Sequence, residues 1–173
     1  MGKRNNICLV GYMGSGKSTV GRMAAGRLCM DFADTDELIV KRENRSIPDI
    51  FKTDGESFFR KLETELLEEL SGDKGIENTL LSTGGGIILT EGNRALLKQI
   101  GTVIYLRAEA DTLYERVRND TGRPLLSTGD VRGRIREMLK IRTPMYADAA
   151  DFIIDTDSLS VEQTVLAVSG ICL

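Results

Sequence analysis

The sequence predicts an α/β protein whose sheet is mostly parallel and covered by helices on both faces. Two observations carry this. Short apolar, β-leaning runs alternate with segments of helical period, and a glycine-rich turn joins the first run to the first helical segment. A chain of 173 residues with 41% apolar residues can fill one core, so a single domain over residues 1–173 is expected.

Taken in order, the first strand is expected at Ile7–Val10, four apolar residues that stop at Gly11. A helical pattern follows over residues 17–29, then a weaker strand at 31–33 and a helix at 37–43. Residues 41–55 break the rhythm: they read as a polar insertion with Pro48, placed over the carboxyl edge of the sheet, where open α/β sheets bind ligands. A helix is expected at 56–70, a strand at 80–82, a helix at 91–99, a strand at 102–106 and a helix at 111–117. Residues 119–130, rich in Gly, Asp, Thr and Ser, read as a second departure and as a mobile loop. A helix at 131–146, a strand at 152–154 and a helix at 161–168 complete the pattern. Repeats and low-complexity segments are absent.

Composition excludes several classes of function. With 23 basic and 26 acidic residues the formal net charge is −3, which offers no footprint for nucleic acid or an anionic membrane; any anion must be held by local charge. The run after Lys3 and Arg4 is too short for a signal-peptide core, Asn6 stands where a myristoylation signal wants Ser or Thr, and no stretch approaches a membrane span. Cys8, Cys29 and Cys172 are far apart and odd in number, so a reducing cytoplasm is expected rather than a disulfide framework. There is no histidine. Proton chemistry therefore falls to carboxylates, and a metal would take oxygen ligands, as a hard ion such as Mg2+ does.

Gly11-Tyr12-Met13-Gly14-Ser15-Gly16-Lys17-Ser18 matches G-x-x-x-x-G-K-[ST] between an expected strand and an expected helix, the context this phosphate-binding loop needs. Backbone N–H groups around Gly14, Ser15 and Gly16 can turn inward on phosphate, aided by the helix N-terminus that continues through Thr19. Lys17 would neutralise the β- and γ-phosphates of a nucleotide, and Ser18 would set a hydroxyl on magnesium.

The loop alone leaves kinases, GTPases, ATPases and motors open, so discrimination rests on the rest of the chain. Asp34-Thr35-Asp36 follows the second strand, and a spacing of two would aim both carboxylates one way at a strand end. One could meet a magnesium-bound water and the other a substrate hydroxyl; Asp is also a favoured helix N-cap. Arg60 stands beside Phe59 with Glu63 three residues on, close enough to orient a guanidinium as a carboxylate clamp. Arg142 precedes Pro144 and Tyr146, so a kinked helix end could aim it into the cleft; each arginine alone would more commonly be a solvated surface charge. Gly84-Gly85-Gly86 permits close backbone approach to a ligand, or forms an ordinary turn.

Together these motifs resemble the shikimate kinase family, from the first strand to about Asp155: the phosphate loop, Asp34-Thr35-Asp36, Phe59-Arg60 with Glu63, the triple glycine, Arg123-Pro124-Leu125-Leu126, and Arg142 with Tyr146. The resemblance implies a P-loop NTPase of the adenylate-kinase-like fold: three layers, α/β/α, with a five-stranded parallel sheet in the order 2-3-1-4-5. It also implies a substrate-binding subdomain over about 36–63 and a lid over about 119–130. Asp34 would lie near Mg2+ with Ser18, and Asp36 would contact the substrate as the candidate base. Arg60 and Arg142 would grip the substrate carboxylate, and Gly84, Gly85 and Gly86 would meet its hydroxyls. Arg123 would reach the phosphates from the lid, and Arg116 would cover the adenine. After Asp155 no basic residue stands out for the other side of that ring.

The implied reaction moves the γ-phosphoryl group of ATP to the 3-hydroxyl of shikimate, giving shikimate 3-phosphate and ADP on the route to chorismate and the aromatic amino acids. The expected partners are shikimate and ATP, with no nucleic acid and no membrane, and the expected state is a monomer. Gluconate kinase is an alternative of the same fold, although its relatives usually carry histidine in the substrate segment. A non-catalytic nucleotide-binding module is another; the Asn-Lys-x-Asp string that reads guanine is absent.

Overall fold

In the computed structural model, residues 5–73, 75–118 and 130–171 are described. Five parallel strands, β1 (Ile7–Val10), β2 (Asp31–Asp34), β3 (Thr79–Ser82), β4 (Thr102–Arg107) and β5 (Phe152–Asp155), lie in the order β2-β3-β1-β4-β5. The expected strand order is thereby borne out. Central β1 and β3 are buried along their whole length, whereas β5 at one edge is mostly exposed, as its position requires.

Even in the fully buried strands the side chains alternate between two cores. Ile7 and Leu9 of β1 join Leu80, Ile104 and Leu106 under α1 (Lys17–Leu28) and α8 (Val161–Ile171). Cys8 and Val10 join Leu81, Val103 and Tyr105 on the opposite face. That face is covered by α4 (Gly55–Ser71), α5 (Glu91–Ile100) and α7 (Val131–Ala149). Helix α6 (Ala110–Val117) packs on α7. On α4 the inward residues Phe59, Leu62, Glu63, Leu66, Leu67 and Leu70 recur at three and four, the helical period. Glu63 is the exception to their chemistry.

Two sequence expectations need correction. Residues 41–55 are not an irregular insertion: α2 (Thr35–Glu43) is followed by a separate helix, α3 (Ile47–Thr53). The reason is local. Ser46 Oγ accepts from the Asp49 N–H at 3.2 Å, and Pro48 falls in the first turn, where its missing N–H costs no helical bond. Helix α7 likewise does not end at Tyr146 but runs through Pro144 to Ala149.

No helix among the described residues is long and apolar enough to cross a membrane. Arg123 and nearly all of the expected lid, 119–130, lie outside the described residues, as does Cys172.

Candidate active site

The loops after β1, β2 and β3 leave the same edge of the sheet, beside the strand where chain order reverses, and enclose a cleft of about 870 Å³. Its lining brings together Gly14, Gly16, Lys17, Ser18, Thr19, Asp34, Asp36, Arg60, Gly85, Gly86, Arg116 and Arg142. Ser15 and Gly84 do not line it; Ser15 is buried, and its N–H donates to Tyr12 O at 3.1 Å.

On the first wall, Gly14 and Gly16 have φ of 80° and 92°, left-handed values that a side chain would resist, and they wrap the loop around the N-terminus of α1. That terminus carries no side-chain cap, so its N–H groups remain available to an anion. Lys17 is buried and folds back along the loop, donating to Gly11 O at 2.8 Å and Tyr12 O at 3.0 Å.

Between the walls, Asp34 and Asp36 divide their tasks. Asp34 ends β2, caps α2 by accepting from the Asp36 N–H at 3.0 Å, and accepts from Ser18 Oγ at 2.9 Å. Asp36 stands in the first helical turn. The two carboxylates therefore do not share a strand face, as their spacing suggested; helix onset at Thr35 turns Asp36 onto the glycine loop instead.

The second wall is built around Gly84–Gly86. A Cβ on Gly84 would lie 2.6 Å from Asp36 Oδ1, and one on Gly86 would lie 2.6 Å from Arg60 Cζ, so side-chain-free backbone is required for both groups to sit where they do. The loop is held from several sides: Thr35 Oγ1 accepts from the Gly84 N–H at 2.9 Å, Tyr146 Oη donates to Gly85 O, and buried Asn93 donates to Ile87 O at 3.0 Å. Arg60 donates to Glu63 at 2.6 Å and to Glu56 at 3.0 and 3.2 Å. Arg142 lies over the Tyr12 ring at 5.6 Å, which orients its guanidinium. Exposed Arg116 reaches Thr156, at 3.2 Å to Oγ1 and 2.9 Å to the carbonyl, past the end of β5.

Sequence reading missed Tyr12, Thr35, Asn93 and Thr156 as supports; none carries a local pattern that announces it. It also missed the burial of Glu63, which was legible as a carboxylate in phase with Leu62, Leu66 and Leu70. Burial pushes this carboxyl up to about 7, against the charge and hydrogen bond of Arg60 and with help from the Asp36 and Glu56 charges. Because the folded value exceeds the usual 4.5, the stabilising share of Glu63 is full below that pH and is lost as pH rises through about 7. Glu63→Gln does not titrate there. The melting temperature of the ligand-free parent, relative to this variant, should therefore fall between pH 5 and 8; a relative rise would contradict the assigned direction.

A phosphate loop by itself would suit any P-loop NTPase; a carboxylate and two oriented arginines in the same cleft narrow the class to P-loop kinases of small acceptors. The family model described as "Shikimate kinase" matches residues 13–169. A shikimate kinase of Thioalkalivibrio sulfidiphilus is 43% identical over 169 residues, covering 98% of this chain and 87% of that protein. The structure of "Shikimate kinase from Acinetobacter baumannii in complex with shikimate" superposes with a TM-score of 0.88 at 38% identity, covering 96% of this chain and 91% of that one. The chain belongs to the shikimate kinase family, and its reading as a kinase of that family is borne out. A gluconokinase of Sinorhizobium meliloti, with a TM-score of 0.58 at 16% identity, shares the fold alone.

Proposed function

We propose that this chain transfers the γ-phosphoryl group of ATP to the 3-hydroxyl of shikimate. The observation that carries the reading is the placement of Arg60 and Arg142 in one cleft with Asp36 and Lys17: an anion clamp and a proton acceptor opposite a phosphate cradle. The glycine loop and Lys17 bind the β- and γ-phosphates, and Arg116, held at Thr156, packs on the base. Arg60 and Arg142 fix the carboxylate of the acceptor, while the Gly84–Gly86 backbone meets its hydroxyls. The attacking oxygen bonds to the γ-phosphorus as the bond to the β-phosphate oxygen breaks. ADP leaves, and the hydroxyl proton passes to the Asp36 carboxylate.

Ser18 and Asp34 fit Mg2+. They supply only oxygen, 2.9 Å apart, and no group of three or more His, Cys, Asp or Glu side chains gathers among the described residues. A hard ion that shares nucleotide phosphates suits so sparse a set. Bound there, it would neutralise charge on the phosphates.

Arg60→Ala and Arg142→Ala should each weaken shikimate binding by roughly tenfold to a hundredfold, from about 1.5–3 kcal/mol per charged hydrogen bond. ATP affinity of the free protein should change much less. If calorimetry gave both variants the dissociation constant of the parent, the clamp would be wrong.

A further inference from the structure

We infer that the Tyr146 hydroxyl is a positioning group for the acceptor half of the cleft, locking the Arg142 guanidinium and the Gly85 carbonyl into one fixed relation. This rests on the reading of Arg142 and the glycine loop as acceptor contacts. Tyr146 is fully buried, and a buried phenol needs a partner for its hydroxyl. Its Oη donates to Gly85 O at 2.5 Å. A carbonyl can only accept, so the direction of that bond is fixed and the phenol must keep its proton. Burial raises the Tyr146 pKa and keeps it protonated, while the guanidinium of Arg142 opposes that rise through its charge and hydrogen bonding. Arg142 stands one turn earlier on α7, near enough for its charge to act on the Tyr146 hydroxyl, whose oxygen still has lone pairs to offer a guanidinium.

The rest of the side chain is anchored independently. The Tyr146 ring stacks on Tyr105 of β4, centroids 4.9 Å apart, and Tyr105 lies in register with Val10, the residue before the phosphate loop. Arg142, one helical turn back on the same face of α7, covers Tyr12 within that loop. The hydroxyl thus joins the helix that carries the clamp to the loop that faces the acceptor. Neither the ring stack nor the helix depends on it.

Tyr146→Phe removes the oxygen and keeps the ring, so the fold is retained. The KM for shikimate should rise about tenfold, while kcat stays within about threefold and the KM for ATP is unchanged. Shikimate binding should then be measured by calorimetry for the parent, Tyr146→Phe, Arg142→Ala and the double variant. Coupling is expected: the combined loss should fall short of the product of the single losses by at least about threefold. Multiplying effects, or equal shifts in the KM of ATP and shikimate, would overturn the inference, leaving the hydroxyl only a structural bond. A parent that binds no shikimate would overturn the acceptor reading and this inference together; a binding parent with independent variants would overturn this inference alone.

Discussion

Asp36→Asn should lower kcat by at least about a hundredfold while nucleotide binding survives, because it removes the proton acceptor and leaves the phosphate cradle untouched. The structure separates the two carboxylates that the sequence left paired. Asp34 caps α2 and accepts from Ser18, whereas Asp36 stands in the first turn of the helix with Oδ1 against Gly84. Helix capping therefore does not account for Asp36. In a loose transition state little proton transfer is needed early, so the carboxylate chiefly fixes the line of approach of the hydroxyl and takes its proton late. Asparagine matches its shape but cannot take a proton. Asp34→Asn should show its defect as a raised magnesium requirement. Steady-state kinetics across a magnesium titration separates the two, and an Asp36→Asn variant with kcat within about threefold of the parent would end its assignment as the base.

Lys17→Ala should abolish measurable turnover, with a loss of at least about a hundredfold to a thousandfold, the scale of removing one preorganised group that stabilises transition-state charge. The lysine lies along its own loop, donating to Gly11 O and Tyr12 O, so the substitution also frees two carbonyls near the cleft. Two neutral acceptors that can turn to water cost about 1–2 kcal/mol, too little to unfold a domain of ordinary stability. Circular dichroism should show a folded variant. Near-normal turnover in that folded variant would remove Lys17 from the phosphate cradle.

The sheet was legible because strands buried on both faces read as apolar runs, and because the phosphate loop marks the passage from β1 to α1. Helix α3 was not: its signals are Ser46 and Asp49 with Pro48 between them, and in a helix of only seven residues the proline reads first as a breaker. The candidate site was legible as motifs and not as an assembly. Spacing placed Arg60 near Glu63, but only the packed structure shows why Gly86 must lack a side chain, since the guanidinium of Arg60 occupies that space. The supports from Thr35, Asn93 and Tyr146 join positions 49, 6 and 61 residues from their partners, and no local pattern encodes the two longer separations.

Acceptor-dependent phosphoryl transfer to shikimate is measured by coupled ADP release from one preparation given ATP and magnesium with shikimate, with gluconate, or with no acceptor. Turnover is expected with shikimate, kcat/KM at least about a hundredfold lower with gluconate, since a site built for one set of hydroxyls leaves its polar groups unpaired with another, and only background release without acceptor. ADP release at the same rate in all three, or a preference for gluconate, would contradict it.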